Sequence, residues 1–321
     1  MTIFRSLAEV PAAFGPSVVT IGNFDGVHVG HRRIMRRVVE IARARTLAAA
    51  VLTFDPHPAR VLAPERAPKL IMTVARRLRS IESEGIDAVL VLPFSLEFAR
   101  LTPEQFVGQV LLETLHARVI VVGEDFRFGH KQAGNVETLR ALGGQHGFEA
   151  EGFEVETIHT IERCRERVSS STVRRLLAEG RVSRACRELG APFALEGDVV
   201  SGQGIGSRQT VPTLNLASSN EVLPKNGVYV TRTRDLDSGL RWRSITNVGY
   251  RPTFDGAGLT IETFLLDPLD DAGPRRIEVS FLAFIRDERK FENPEALKTQ
   301  ILRDVGVASR LHRRLEKLHV G

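Results

Sequence analysis

Residues 17–31 read Ser17-Val18-Val19-Thr20-Ile21-Gly22-Asn23-Phe24-Asp25-Gly26-Val27-His28-Val29-Gly30-His31. The opening run is apolar and β-branched, the composition of a strand buried on both faces. Helical period then begins and holds over 31–45, with Ile34, Val38 and Ile41 on one face and arginines on the other. A strand that passes through a glycine-bearing loop into a helix aims unpaired backbone N–H groups and the helix dipole at a bound anion. Gly22, Asn23 and Phe24 lie in that loop. His28 and His31 are three apart, so both rings can reach the anion and donate hydrogen bonds as charge develops on it. Gly30 removes a side chain where a nucleotide could approach. No serine or cysteine nucleophile is required, because transfer at phosphorus rests on positioning and charge stabilisation. A lone His-x-x-His would equally suit a surface or a metal site. The preceding strand and following helix select the phosphate reading.

The alternation continues outward. Apolar strands are expected at Ala48–Phe54, Ala88–Leu92 and 119–122, and helices at 74–84 and 103–116, the last with proline in its first turn. This order predicts a doubly wound parallel sheet with helices on both faces and functional loops at the carboxyl ends of the strands. Two further segments fall at such ends. Thr53-Phe54-Asp55-Pro56-His57-Pro58 stiffens a loop with prolines and holds Asp55 and His57. Gly123-Glu124-Asp125-Phe126-Arg127-Phe128-Gly129 offers a carboxylate, a guanidinium and two aromatic faces, a mixture suited to a planar polar ligand. Ser169, Ser170, Ser171 and Thr172 precede Arg174 at a helix start. One hydroxyl suffices for a cap, and the cluster with its arginine resembles a phosphate clamp.

After about residue 190 the period changes. Strands are expected at Phe193–Val200, 228–234, 242–248, 260–266 and 277–285 with no helix between them, then a helical stretch at 294–319. Consecutive strands with glycine, proline and asparagine turns predict an antiparallel barrel or sandwich. Gly202-Gln203-Gly204-Ile205-Gly206 is neither a Rossmann fingerprint nor a Walker A loop. Thr213 and Asn215, two apart in an extended segment, project from one face and could share a magnesium ion with ATP phosphates. Glu262 shares a strand face with Phe264 and Leu266. A carboxylate in so apolar a strand suits a general base that takes a proton from an alcohol, or else a single exposed charge.

A chain of 321 residues exceeds one ordinary hydrophobic core, so two domains are expected, at 1–186 and 187–321. No apolar run is long enough to span a membrane, and the first residues lack the pattern of a signal peptide, so a cytoplasmic protein with no membrane partner is expected. Cys164 and Cys186 have no ligand spacing and read as reduced thiols. The net charge of +5 includes the cluster Arg32, Arg33, Arg36 and Arg37, but aromatic residues, at 6%, do not interleave with it. That argues for solvated helix faces and phosphorylated ligands over a nucleic-acid partner.

Taken together these motifs resemble the bacterial bifunctional riboflavin kinase/FMN adenylyltransferases. Residues 17–180 carry the His-x-Gly-His motif, the Thr-Phe-Asp-Pro-His-Pro turn, the Gly-x-Asp-Phe-Arg-Phe-Gly loop and the Ser-Ser-x-x-Val-Arg motif. Residues 190–321 carry Pro212-Thr213-Leu214-Asn215, Leu223-Pro224-Lys225-Asn226-Gly227-Val228-Tyr229, Asn247-Val248-Gly249-Tyr250-Arg251-Pro252-Thr253-Phe254, and the Glu262 strand. The resemblance implies a nucleotidyltransferase domain followed by a riboflavin kinase β-barrel with C-terminal helices. It implies ATP at Gly22, Asn23, Phe24, His28, Gly30, His31, Ser169, Ser170, Ser171 and Arg174. Flavin is implied near Asn23, Asp55, Pro56, Asp125, Phe126, Arg127 and Arg286. In the barrel it implies ATP at Gly204, Gly206, Thr213 and Asn215, Mg2+ on Thr213 and Asn215, and Glu262 as catalytic base. Riboflavin, FMN and ATP are then the substrates, and a monomer or weak homo-oligomer is expected. Ser207, Thr210 and Ser171 depart from the family pattern; the first two bear on kinase rate and nucleotide affinity. Rival readings are a nucleotidyltransferase with another phosphorylated acceptor, and a flavin-binding regulator with a degenerate barrel.

Overall fold

A computed structural model describes residues 1–145, 152–163, 166–200, 213–253, 256–269 and 273–318. The chain divides into two compact units, Met1–Ser170 and Ser171–Gly321.

In the first unit, strands β1 (Thr2–Phe4), β2 (Ser17–Ile21), β3 (Ala48–Phe54), β4 (Ala88–Leu92), β5 (Ala117–Gly123) and β6 (Glu154–Ile158) form one sheet in the order β1-β4-β3-β2-β5-β6. Every pairing is parallel. Alternate residues feed two cores. Val18, Val51, Val89 and Val121 face α1 (Val29–Arg45), whose Met35, Val38 and Ile41 cover them together with Leu78 and Ile81 of α3 (Val74–Glu82). The short α2 (Pro58–Leu62) precedes α3. Val19, Leu52, Leu90 and Ile120 face the other layer, which includes Phe106 of α4 (Pro103–Phe106), Val110 and Leu111 beyond it, and Leu139 of α5 (Val136–Gln145). The chain winds from β2 to β4 on one side and then crosses to β5 on the other side of β2. The strand order therefore reverses between β2 and β5, and a crevice opens at their carboxyl ends.

The helix expected over 103–116 is α only through Phe106. Val107–Leu112 continues as a π-helix, where Glu113 N–H reaches Gly108 O. Thr102 and Gln105 form a capping box at its start. A small hairpin, β7 (Glu162–Arg163) and β8 (Glu166–Arg167), follows the sheet.

The second unit takes in most of α6 (Ser170–Ala178), all of α7 (Val182–Leu189) and then six antiparallel strands. The compact units thus meet at 170/171, while the sequence pattern changes near 186/187. α7 packs on the barrel: Ser183 Oγ donates to Leu282 O and Cys186 Sγ lies 3.3 Å from Phe281 O. β9 (Phe193–Val200), β10 (Thr213–Ser218), β11 (Gly227–Asp235), β12 (Arg241–Thr253), β13 (Gly256–Leu265) and β14 (Arg276–Arg286) close in the order β10-β13-β12-β11-β14-β9. Tyr229, Thr231, Thr246, Val248, Ile261, Thr263 and Leu265 are wholly buried or nearly so and point inward. Their hydroxyls satisfy one another, through Thr231–Ser244, Thr231–Thr246 and Thr246–Thr263 contacts of 2.8–3.0 Å. The opposite parity, Val228, Val230 and Ile245, faces outward and is covered by Val305, Ala308 and Leu311 of α8 (Pro294–Leu318). The doubly wound domain, the antiparallel barrel and the C-terminal helix all match expectation.

Candidate functional sites

The loop between β2 and α1 is held in an unusual backbone path. Phe24 (φ +49°), Gly26 (φ +87°) and Val27 (φ +41°) all lie in the left-handed region. For a β-branched residue such as Val27 that is costly, and it persists only where the surroundings over-determine it. Those surroundings are visible. Phe24 and Val27 are buried, and the Asp25 carboxylate accepts from Ile71 N–H at 2.9 and 3.2 Å. Ser170 Oγ donates to Asp25 O at 2.8 Å, and Thr53 Oγ1 donates to Asn23 O at 3.3 Å.

The loop delivers His28 to the N-cap of α1, where its Nδ1 accepts from His31 N–H at 3.3 Å. His28 and His31 stack with ring centroids 3.6 Å apart, and Phe24 meets His31 edge-on at 5.1 Å. Burial, with Arg167 nearby, pushes His28 down to about 4, against a backbone hydrogen bond that acts the other way. Burial and the neighbouring His28 hold His31 well below the ordinary range. Both rings are therefore neutral at pH 7. The cap occupies Nδ1 of His28, so its proton sits on Nε2, a neutral N–H donor available to an oxyanion.

Gly30 also borders the His28 ring. A Cβ there would lie 3.1 Å from His28 Nδ1. Its missing side chain is space for the His28 ring.

At the end of β3, Asp55 and Pro56 are exposed, and His57 caps α2 by accepting from Ala59 N–H at 3.1 Å. At the end of β5, Asp125, Phe126 and Arg127 line a cavity of about 340 Å³ together with Asn135, Arg140 and Thr157. Asp125 pairs with Arg167 of β8, and Phe126 stacks on Phe128 at 5.5 Å. One aromatic face is thus already taken by its neighbour. Beside Asp125, Glu124 is held down to about 2, mainly by His159, with Thr160 N–H adding to it. An unexpected chain of rings runs along the same edge: Phe54 meets Phe94 and Phe98, Phe98 meets Phe106, and Phe106 meets Phe128.

Ser169 and Ser170 end the first unit, whereas Ser171 and Arg174 open the second, on α6. The α1 arginines are engaged in ion pairs. Arg32 and Arg36 meet Glu84, Arg37 meets Glu156, and Arg43 meets Asp87.

In the barrel, strand register assembles what sequence separates. Asn215 of β10 lies opposite Glu262 of β13, and Glu262 lies opposite Asn247 of β12. Thr213 lies opposite Phe264. Directly opposed residues share a face with Cβ atoms about 4.5–5.5 Å apart. Thr213, Asn215, Glu262 and Asn247 therefore share one outer face, opposite to the buried Leu214, Thr263 and Thr246. In sequence Asn247 is one member of a motif with no role of its own; its place beside Glu262 follows from pairing alone. Arg286 sits opposite Val228, its guanidinium on the Asp304 carboxylate at 2.9–3.0 Å and over the Phe291 ring at 5.6 Å. Gly204 and Gly206, with Ser207 and Thr210, lie outside the described residues.

The comparisons agree with this division. The family described as FAD synthetase matches residues 11–172, and the riboflavin kinase family matches 189–312. The bifunctional riboflavin kinase/FMN adenylyltransferase of Pseudomonas fluorescens is 37% identical over 97% of this chain and 98% of its own. This chain belongs to the bifunctional riboflavin kinase/FMN adenylyltransferase family. The namesake from Escherichia coli strain K12 is 36% identical over 89% of this chain and 90% of its own. A crystal structure named as a macrolide-efflux protein from Streptococcus pneumoniae superposes with a TM-score of 0.85 at 29% identity, covering 96% of this chain and 98% of that one. Among the described residues of this family member, no helix is long and apolar enough to cross a membrane.

Proposed function

We propose that residues 187–321 phosphorylate the ribityl 5′-hydroxyl of riboflavin with ATP, giving FMN and ADP. Residues 1–186 then join FMN to the AMP of a second ATP and release pyrophosphate. The observation that carries this reading is the coexistence, in one chain, of the neutral His28/His31 pair at a strand-to-helix turn and the Asn215–Glu262–Asn247 row on the barrel. The family matches end at 172 and begin again at 189, which supports a division between them.

In adenylyl transfer, ATP lies at Gly22, Asn23, Phe24, Gly30 and the 169–174 segment. His28 Nε2–H and His31 donate to the phosphate oxygens as negative charge builds. Being neutral, they add hydrogen bonds without fixing the substrate electrostatically in its ground state. FMN lies towards Asp55, Pro56, Asp125, Phe126 and Arg127, where the phenylalanine chain supplies apolar surface for a flat ring system.

In the kinase step, Glu262 takes the proton of the ribityl hydroxyl, and Arg286 orders the flavin side of that face. Among the described residues no cluster of three His, Cys, Asp or Glu side chains stands ready for a metal. The neutral oxygens of Thr213 and Asn215 do fit Mg2+, which takes few protein ligands and keeps the rest of its shell for water and phosphate. Bound there with ATP, Mg2+ would supply charge neutralisation at the phosphates. We assign the protein to the cytoplasm, in keeping with ATP as co-substrate.

The test is direct. Purified protein receives riboflavin and MgATP; FMN and FAD are separated, and ADP and pyrophosphate are measured. Both flavins should form, FMN first. Absence of FAD from supplied FMN would remove the first activity, and absence of FMN the second.

A further inference from the structure

α3 carries an arginine where its pattern calls for an apolar residue. Arg77, Leu78 and Ile81 form the buried face of the helix, and Arg77 is only 3% exposed. A guanidinium so deep requires partners, because a buried charge left unpaired is strongly destabilising. Its partners are main-chain oxygens. Nη1 donates to Asn23 O at 2.9 Å and Nη2 donates to Phe54 O at 3.0 Å.

Those carbonyls belong to different loops. Asn23 begins the β2–α1 loop that delivers His28, and Phe54 ends β3 immediately before Asp55. The planar fork of one arginine therefore spans the two loops and sets their separation. Thr53 Oγ1, from β3 itself, also donates to Asn23 O, at a longer 3.3 Å. The same segment grips the first loop a second time, through Ile71 N–H on the Asp25 carboxylate. Burial pulls the guanidinium below its ordinary value, and the charges of Asp55 and Asp25 act against that pull.

We propose that Arg77 is a positioning residue for adenylyl transfer, a strut that fixes the histidine-bearing loop relative to the Asp55 loop without touching either substrate. This rests on the reading that ATP occupies the first loop and FMN the second. The reacting atoms come one from each substrate, so an error in the spacing of the two loops falls on the transition state. Each loop keeps its own contacts and still binds its own substrate. Arg77→Met keeps the length and apolar packing of the stem and removes both donors. Arg77→Lys keeps the charge but replaces the two-pronged fork with a single ammonium.

The experiment follows FAD formation from supplied FMN and MgATP in the full-length protein, well below its measured thermal midpoint. Riboflavin phosphorylation by the same preparation reports on the other unit. For Arg77→Met, kcat should fall by about 100-fold, the loss typical of an ångström-scale misplacement. The KM values for FMN and ATP should each move less than threefold, by about the spread of a substitution that spares ground-state binding. FMN formation should stay at the wild-type level. Arg77→Lys should recover the thermal midpoint and only part of kcat. Wild-type kcat in either folded variant overturns the proposal. So does a loss confined to KM, which would make Arg77 part of a binding site. If Arg77→Met does not fold, the lysine variant decides alone, full kcat again overturning the strut. His28→Ala run in parallel separates the two levels: if it too leaves FAD formation intact, the reading of the site fails. If it abolishes FAD formation while Arg77→Met does not, only the strut fails.

Discussion

Replacing Gly30 with alanine should disable adenylyl transfer while leaving the protein nearly as stable as before. The new Cβ would stand 3.1 Å from Nδ1 and 3.2 Å from Cε1 of His28, closer than a side chain tolerates without movement. The ring cannot retreat towards His31, already stacked at 3.6 Å. It must give by a few tenths of an ångström, away from the helix, and its 3.3 Å cap on His31 N–H weakens. Losing an N-cap costs about 0.5–2 kcal/mol. Exchanging glycine for alanine within a helix returns about 1 kcal/mol. The two nearly cancel, so the thermal midpoint should move by only a few degrees. The Nε2 donor, however, is displaced, and loss of an oxyanion-directed donor costs about 100–1,000-fold in rate. The assay is pyrophosphate release with FMN and MgATP, with riboflavin phosphorylation in the same sample as control. Wild-type adenylylation by Gly30→Ala would refute the argument that ring placement matters. A parallel fall of both activities would show that the damage is global.

Three further outcomes follow from the geometry. Because the folded protein holds His28 near 4 rather than 6.5, its contribution to stability is present above pH 6.5 and is lost as pH falls towards 4, by roughly 3 kcal/mol. His28→Asn, which keeps a capping side chain, should therefore lose less stability than wild type between pH 7 and 4.5 in urea melts; equal losses would contradict the neutral-ring assignment. His312 of α8 is fully buried, and burial, with Arg232 and Arg243 nearby, holds it below its ordinary value against an opposing backbone contact at Ser244. His312→Leu should weaken the acid sensitivity of the second unit as pH falls below 6.5, measured by the pH dependence of barrel unfolding; an unchanged profile would exclude it as the source. Glu262→Gln should lower FMN formation about 100-fold with FAD formation from supplied FMN untouched, as expected for loss of a general base. Wild-type FMN formation would leave the Asn215–Glu262–Asn247 row without a base.

Several elements were legible because their signals are local. β2, β3 and β4 are continuous apolar runs bounded by turn residues, and they end where the pattern ends. β1 is three residues long and β6 is a short, polar edge strand, so neither shows a period. α5 escaped notice for want of a strong apolar face, with two glycines in its last turn. The stretch after Pro103 has helical spacing, but spacing alone does not separate α from π winding. The Asp125 loop was recognised by composition, yet its cationic partner is Arg167, from a hairpin with no pattern of its own.

The sequence by itself determined the order of the two units, the strand-to-helix turn that carries His28 and His31, and the face shared by Thr213 and Asn215. These depend on neighbours along the chain, where backbone period and turn chemistry operate. Only the tertiary structure decided that Asn247 and Asn215 flank Glu262, because register is set by hydrogen bonds between distant strands. Packing likewise decided that Gly30 makes room for a ring and that Arg77 is buried under two carbonyls. An arginine on a helix reads as a solvated charge until the oxygens that hold it have been brought together, and those oxygens are main-chain atoms that carry no signature in the sequence.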